Sequence, residues 1–169
     1  MAHWTLRLLR HRMLDERDAR RALSKDALAR IEAHVAQSEQ RHSGEIRVVV
    51  EAGLPVSYLR RGASPRERAI AMFGKLNVWD TERNNGVLIY LLLAEHAIEI
   101  VADRGLDRRV DAAEWKRIAD SMQSAFRGGD FEGGLLRAVD EVDALLVRHF
   151  ARQAGDGDVN ELPDAPLVR

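Results

Sequence analysis

The chain has no cysteine, which excludes disulfide frameworks, zinc ribbons, iron–sulfur clusters and thiol nucleophiles together. It has no excess of charge of either sign. A formal net charge of -1 argues against a general polyanion binder, so any useful electrostatics must be local. It also lacks a long clean apolar run. The longest, residues 86–102, is broken by Glu95, His96 and Glu99 and falls short of the roughly 20 residues a membrane-spanning helix needs. Residues 1–14 set Arg7, Arg10 and Arg12 among apolar residues, without the uninterrupted core or small-residue cleavage site of a secretory leader. The expectation is a soluble, cytoplasmic protein. No H-E-x-x-H, G-x-S-x-G, P-loop or dinucleotide fingerprint is present, so a hydrolase triad and the standard nucleotide sites have no support.

What is present suits a globular domain: 169 residues, 46% hydrophobic and 31% charged, enough to bury one core without a staple. The pattern divides into an N-terminal helical extension over 1–23, an α/β domain over 24–152 and an extended or disordered tail over 153–169. Residues 5–12 and 15–23 read as short basic helices with thin apolar stripes, expected to dock loosely. Ser24 is an N-cap for a helix carrying Leu28, Ile31 and Val35, which Ser43-Gly44 terminates. The period then changes to two, with Ile46, Val48 and Val50 forming a half-buried strand.

After a loop over 53–63, Ser64-Pro65 starts a helix whose buried stripe is Ala69, Met72, Phe73 and Leu76. Residues 87–93 form an apolar run fit for a central strand, and Ile98, Ile100 and Ala102 alternate in a strand that returns as a hairpin. A loop over 103–110 follows. Asp111, with Glu114 three residues on, caps a helix through Trp115, Ile118, Met122 and Phe126. Gly128-Gly129 ends it before a last helix runs to Phe150.

Hairpin geometry turns this pattern into a candidate site. A turn centred on Glu95 pairs residues whose numbers sum to about 190, setting Leu93 against Ala97 and Val87 against Asp103. The loops 80–86 and 103–107 then meet at the open end. A right-handed crossover makes the strand from Glu45 parallel to that from Val87 and brings Ser43-Gly44-Glu45 to the same end. Glu45, Asp80, Glu82, Asp103 and Asp107, with the amides of Asn84 and Asn85, would share one neighbourhood. Hard oxygen donors of this kind suit calcium or magnesium. The alternative is structural: Asn84 and Asn85 tolerate left-handed turns, Asp103 caps a turn, and the other acids are solvated.

Spacing dismisses two other calcium-loop beginnings. In Asp80-x-Glu82-x-Asn84 the glycine, Gly86, is one place late and the twelfth residue is Leu91. In Asp156-x-Asp158-x-Asn160, Glu161 stands where glycine should be and Leu167 where the last ligand should be. The basic N-terminal segment is offset by Asp15, Glu16 and Asp18, so no nucleic acid partner is expected. Trp79, beside the acidic loop, is expected in the core.

The run Ser43-Gly44-Glu45-Ile46-Arg47-Val48-Val49-Val50, then Asn84-Asn85-Gly86-Val87-Leu88, Asp103-Arg104-Gly105-Leu106, and Phe126 followed by Gly133 and Leu135, resembles the TPM domain. That family is named for a thylakoid lumen protein, a photosystem-associated protein and a nematode receptor modulator. The likeness covers roughly residues 34–150, and 160–164 resemble the ending of short bacterial members. The resemblance implies a three-layer α/β/α sandwich around a small mixed sheet with helices on both faces. It also implies an acidic loop site for a divalent cation, often calcium, and the weak acid phosphatase activity of a plant relative. The matching metal positions are Asn84, Asn85 and Asp103, joined by Asp80 and Glu82.

Two functional expectations follow. The first is a binding module with a divalent-cation site that docks to a partner protein, such as a membrane complex. The alternative is a metal-dependent, acid phosphatase-like hydrolase of low specificity with Asp80, Asp103 and Arg104 as its candidate catalytic residues, the cation activating water and Arg104 or Arg83 meeting negative charge.

Overall fold

The computed structural model describes residues 2–153 and 160–169. In chain order these form α1 (Ala2–Met13), α2 (Glu16–Ala22), α3 (Lys25–Glu39), β1 (Ile46–Glu51), α4 (Val56–Arg60), α5 (Pro65–Lys75), β2 (Val87–Leu92), β3 (Ala97–Ala102), α6 (Arg104–Asp107), α7 (Ala112–Arg127), α8 (Phe131–Phe150) and β4 (Leu167–Val168). Local chemistry sets the starts. Ser24 Oγ accepts the Ala27 N–H at the head of α3. Ser64 and Glu67 close a reciprocal capping box on α5 behind Pro65. Asp111 accepts the Glu114 N–H at α7, without the return bond that would complete a box.

The strands form a mixed sheet ordered β3-β2-β1-β4. β1 and β2 are parallel, with Ile46 opposite Val87, as the crossover rule requires. Alternation along the strands divides the interior into two cores. Ile46, Val48, Val50, Val87, Ile89 and Leu91 pack with α2, α3, α7 and α8 on one face. Val49, Leu88, Tyr90 and Leu92 pack with α4 and α5 on the other. The result is an α/β/α sandwich.

Several local expectations are corrected. The hairpin register is shorter by one: Leu92 pairs with Ala97 and Val87 with Ala102. Leu93–Glu95 curl into a 3₁₀ turn closed by left-handed His96 (φ 48°), which removes Leu93 from the ladder. β1 is buried along its whole length rather than on one face, because α5 and the C-terminal segment cover the side that carries Arg47 and Glu51. The loop predicted over 53–63 contains α4, and that over 103–110 contains α6.

The N-terminal helices are anchored, not loose. Ala19 and Leu23 are fully buried. His11 Nδ1 accepts the Leu54 N–H at 2.9 Å, and its Nε2 lies 2.8 Å from Glu95 Oε1. This arrangement uses a neutral ring, and burial holds the His11 pKa below its ordinary value. A thin apolar stripe suffices because a buried polar anchor replaces part of it.

The second core holds one buried ion pair. Arg68 donates to both Glu51 carboxylate oxygens, at 2.8 and 2.5 Å, and Tyr90 Oη donates to Glu51 at 2.6 Å. Residues 160–169 run extended to the β4 edge. Arg47 donates to the carbonyls of Pro163 and Ala165, and Arg169 exchanges backbone bonds with Val50 and Ala52.

This C-terminal segment sits on acids. Burial raises Glu45, which accepts the Leu162 N–H, to a pKa of about 7, with Glu161 and Asp164 adding repulsion. Burial raises Glu39, which accepts the Ile46 N–H, to about 9. Both folded values exceed the unfolded one, so their contribution is complete below the usual carboxylate range and is lost as pH rises through about 7 and then about 9. The melting temperature should therefore fall across that interval. Glu45→Gln should flatten the lower part of the fall, and melts of the two proteins across pH check it. An identical pH profile in the variant would contradict the assignment.

Candidate functional site

Three loops do converge at the amino ends of β1 and β2. The Val87 N–H donates to the Glu45 carbonyl, Asp103 N–H to Gly86, and Gly105 N–H to Asn84, each at 2.8 Å. The last contact depends on a missing side chain: a Cβ at Gly105 would meet the carbonyl oxygens of Asn84 and of Arg83, the latter at 2.7 Å. Asn84 adopts φ 52°, the left-handed conformation expected of a turn asparagine.

Asn85 does something else. Its side chain is fully buried, its backbone N–H donates to Thr81 Oγ1, and its Nδ2 donates to Ser43 Oγ at 3.3 Å. Its Oδ1 has no hydrogen-bond partner among the described residues. Asp103, 7% exposed, caps α6 by accepting the Arg104 N–H at Oδ1, while its Oδ2 is buried and has no partner among the described residues. The junction thus holds two buried oxygen acceptors that no described residue binds. A buried acceptor left in this condition costs about 1–3 kcal/mol, which a cation, a hydrogen-bond donor or a water would relieve.

The other candidates are placed differently. Asp80, Glu82 and Asp107 are exposed. Glu45 is turned to the C-terminal segment, and the Glu82 N–H donates to the Glu161 carboxylate. Among the described residues, no group of three or more His, Asp or Glu side chains is gathered to hold an ion. The donor set at the junction is therefore one carboxylate with amide and backbone oxygens. Asp156 and Asp158 of the C-terminal calcium-loop beginning lie outside the described residues. Trp79 is 46% exposed, not core: Val78 takes the inward position, and the adjacent side chain is turned out.

Sequence reasoning named Arg83 and Arg104 but missed Arg108, Arg109 and Arg148 around the mouth. A cavity of about 410 Å³ is lined by Arg83, Asn84, Arg104, Gly105, Arg108 and Arg109. It adjoins one of about 670 Å³ that includes Arg148 and His149. The spacing of Arg104 and Arg108 was a local signal for a shared helical face. Arg83 and Arg148 join only through tertiary structure.

Residues 17–145 match the model of the TPM domain family. No curated protein matches. Among solved structures, the chain is similar to the BA42 protein of the psychrophilic bacterium Bizionia argentinensis, at 26% identity and a TM-score of 0.74, over 86% of this chain and 94% of that one. The N-terminal domain of a P. gingivalis protein shares the fold at 19% identity and a TM-score of 0.60, over 81% and 90% of the two chains. The N-terminal domain of cg2496 from Corynebacterium glutamicum does so at 14% and 0.54, over 80% and 78%. With more than half its length matched to the family, this chain belongs to the TPM domain family.

Proposed function

We propose that this protein is a TPM-type binding module that takes a divalent cation, calcium or magnesium, where the loops before β2 and after β3 meet. The observation that carries the reading is the pair of buried oxygens at one junction, Asn85 Oδ1 and Asp103 Oδ2, that have no partner among the described residues. Oxygen donors with a single carboxylate suit a hard cation at the weak end of protein affinities, about 10⁻⁴–10⁻³ M. Asn85 and Asp103 would hold it, with Asn84 beside them and Asp80 and Glu82 on the solvent side. Docking to a partner protein is supported by the exposed apolar stripe of Leu6, Leu9 and Met13 on α1, beside Arg10.

Calorimetric titration of calcium and of magnesium tests the cation reading. Asp103→Asn is the right control because asparagine caps a helix as well as aspartate does, so the fold is kept while the charge is lost. One saturable site in the parent and at least a tenfold weaker one in the variant is the expected result; equal heats in both proteins would end the proposal.

One observation favours hydrolysis as a second reading: Arg104 directly follows Asp103 and lines a cavity with Arg83. A bound cation would supply Lewis-acid polarisation of a phosphoryl oxygen. The chain's own contribution would be the two guanidinium groups, which hold negative charge developing on the phosphoryl group. Cation-dependent turnover of p-nitrophenyl phosphate that disappears in Asp103→Asn would establish it, and equal turnover in the variant would dismiss it.

A further inference from the structure

Of the four arginines around the smaller cavity, Arg83 and Arg109 are tied to the fold, and among the described residues Arg104 and Arg108 are not. Arg104 and Arg108 stand one turn apart at α6, where like charges repel, and neither guanidinium has a hydrogen-bond or ion-pair partner among the described residues. Arg109 is held without a carboxylate: its Nη1 donates to the His149 carbonyl at 3.2 Å, and its guanidinium lies 4.7 Å above the Phe150 ring. Arg83 joins them from the other loop, donating to Ser43 Oγ at 3.2 Å. The Gly105–Asn84 backbone bond clamps the two loops together, which fixes the distance between Arg83 and Arg104. Asn84 and Gly105 complete the lining, and among the described residues no acidic side chain is part of it.

Guanidinium groups converging on about 410 Å³, in a chain whose net charge is -1, are a local and directed concentration of positive charge. Their planar forks match oxyanions with two or three terminal oxygens, and two of them are oriented in advance by Phe150 and Ser43. We propose that this cavity is an anion site for a compact, multiply charged phosphate group, a diphosphate or a phosphorylated head group, bound by Arg104, Arg108 and Arg109 with Arg83. The site does not depend on the cation reading, since of the residues assigned to the cation only Asn84 lines it.

The test is calorimetric titration of inorganic pyrophosphate at constant ionic strength in the presence of a chelator, so that failure here is separate from failure of cation binding. Arg104→Gln/Arg108→Gln is the informative variant: both side chains are exposed and make no bond to a described residue, so the fold is retained. A parallel arm measures sedimentation with phosphatidylcholine vesicles containing a phosphatidylinositol bisphosphate. Saturable one-to-one binding of pyrophosphate, weakened at least about tenfold in the double variant, identifies a soluble ligand. Vesicle capture alone, lost in the variant, identifies a head group. Binding in neither arm, or equal binding by the double variant in the positive arm, overturns the proposal.

Discussion

Arg68→Met should destabilise the protein by roughly 3–5 kcal/mol, the largest effect expected of any single substitution considered for this chain. Arg68 and Glu51 are almost wholly excluded from solvent, and the pair is bidentate. Removing the guanidinium leaves the Glu51 carboxylate buried with only the Tyr90 hydroxyl to satisfy it. The attraction of the pair is not itself the source of that cost, because desolvation offsets most of it. The double variant Glu51→Gln/Arg68→Met should therefore recover much of the loss, a coupling that a double-mutant cycle in urea measures. A loss below about 1 kcal/mol in Arg68→Met would mean that water reaches Glu51 and that the second core is not closed.

Gly105→Ala should cost about 1–3 kcal/mol and abolish the proposed calcium binding along with it. The new methyl would press on two consecutive backbone carbonyls, those of Arg83 and Asn84, which cannot rotate away as a flexible side chain would. The loops must separate, breaking the Gly105–Asn84 bond and moving Asp103 relative to Asn85. Urea unfolding gives the stability change, and amide exchange at Gly105 locates it. A variant as stable as the parent, with Gly105 still protected, would show that the junction is looser than its hydrogen bonds indicate.

The sandwich was legible because the signals that specify it are local. The change of period at Glu45, the apolar run from Val87 and the caps at Ser24, Ser64 and Asp111 each arise within a few residues. Parallel pairing of β1 with β2 followed from the helical connection between them. The register error of one residue came from a turn that captured Leu93, a choice between near-equal hairpin geometries that sequence does not rank.

The convergence of three loops was legible for the same geometric reason, but the division of labour inside it was not. Asn84 and Asn85 look alike in sequence. Only the fold shows that one makes the turn and the other buries an oxygen with no partner among the described residues. Trp79 was misplaced because the inward position belongs to its neighbour Val78. The arginine cavity draws on α6, the end of α8 and the loop before β2, a combination that no window of sequence contains.

The central claim is that the oxygens of Asn85 and Asp103 form a cation site, and calcium titration followed by NMR tests it most directly. The Asn85 side-chain amide and the backbone amides of Arg104 and Gly105 should shift together, saturate together, and stay still in Asp103→Asn. Shifts confined to the exposed Asp80, Glu82 and Asp107, or linear to the highest calcium concentration, would contradict the claim.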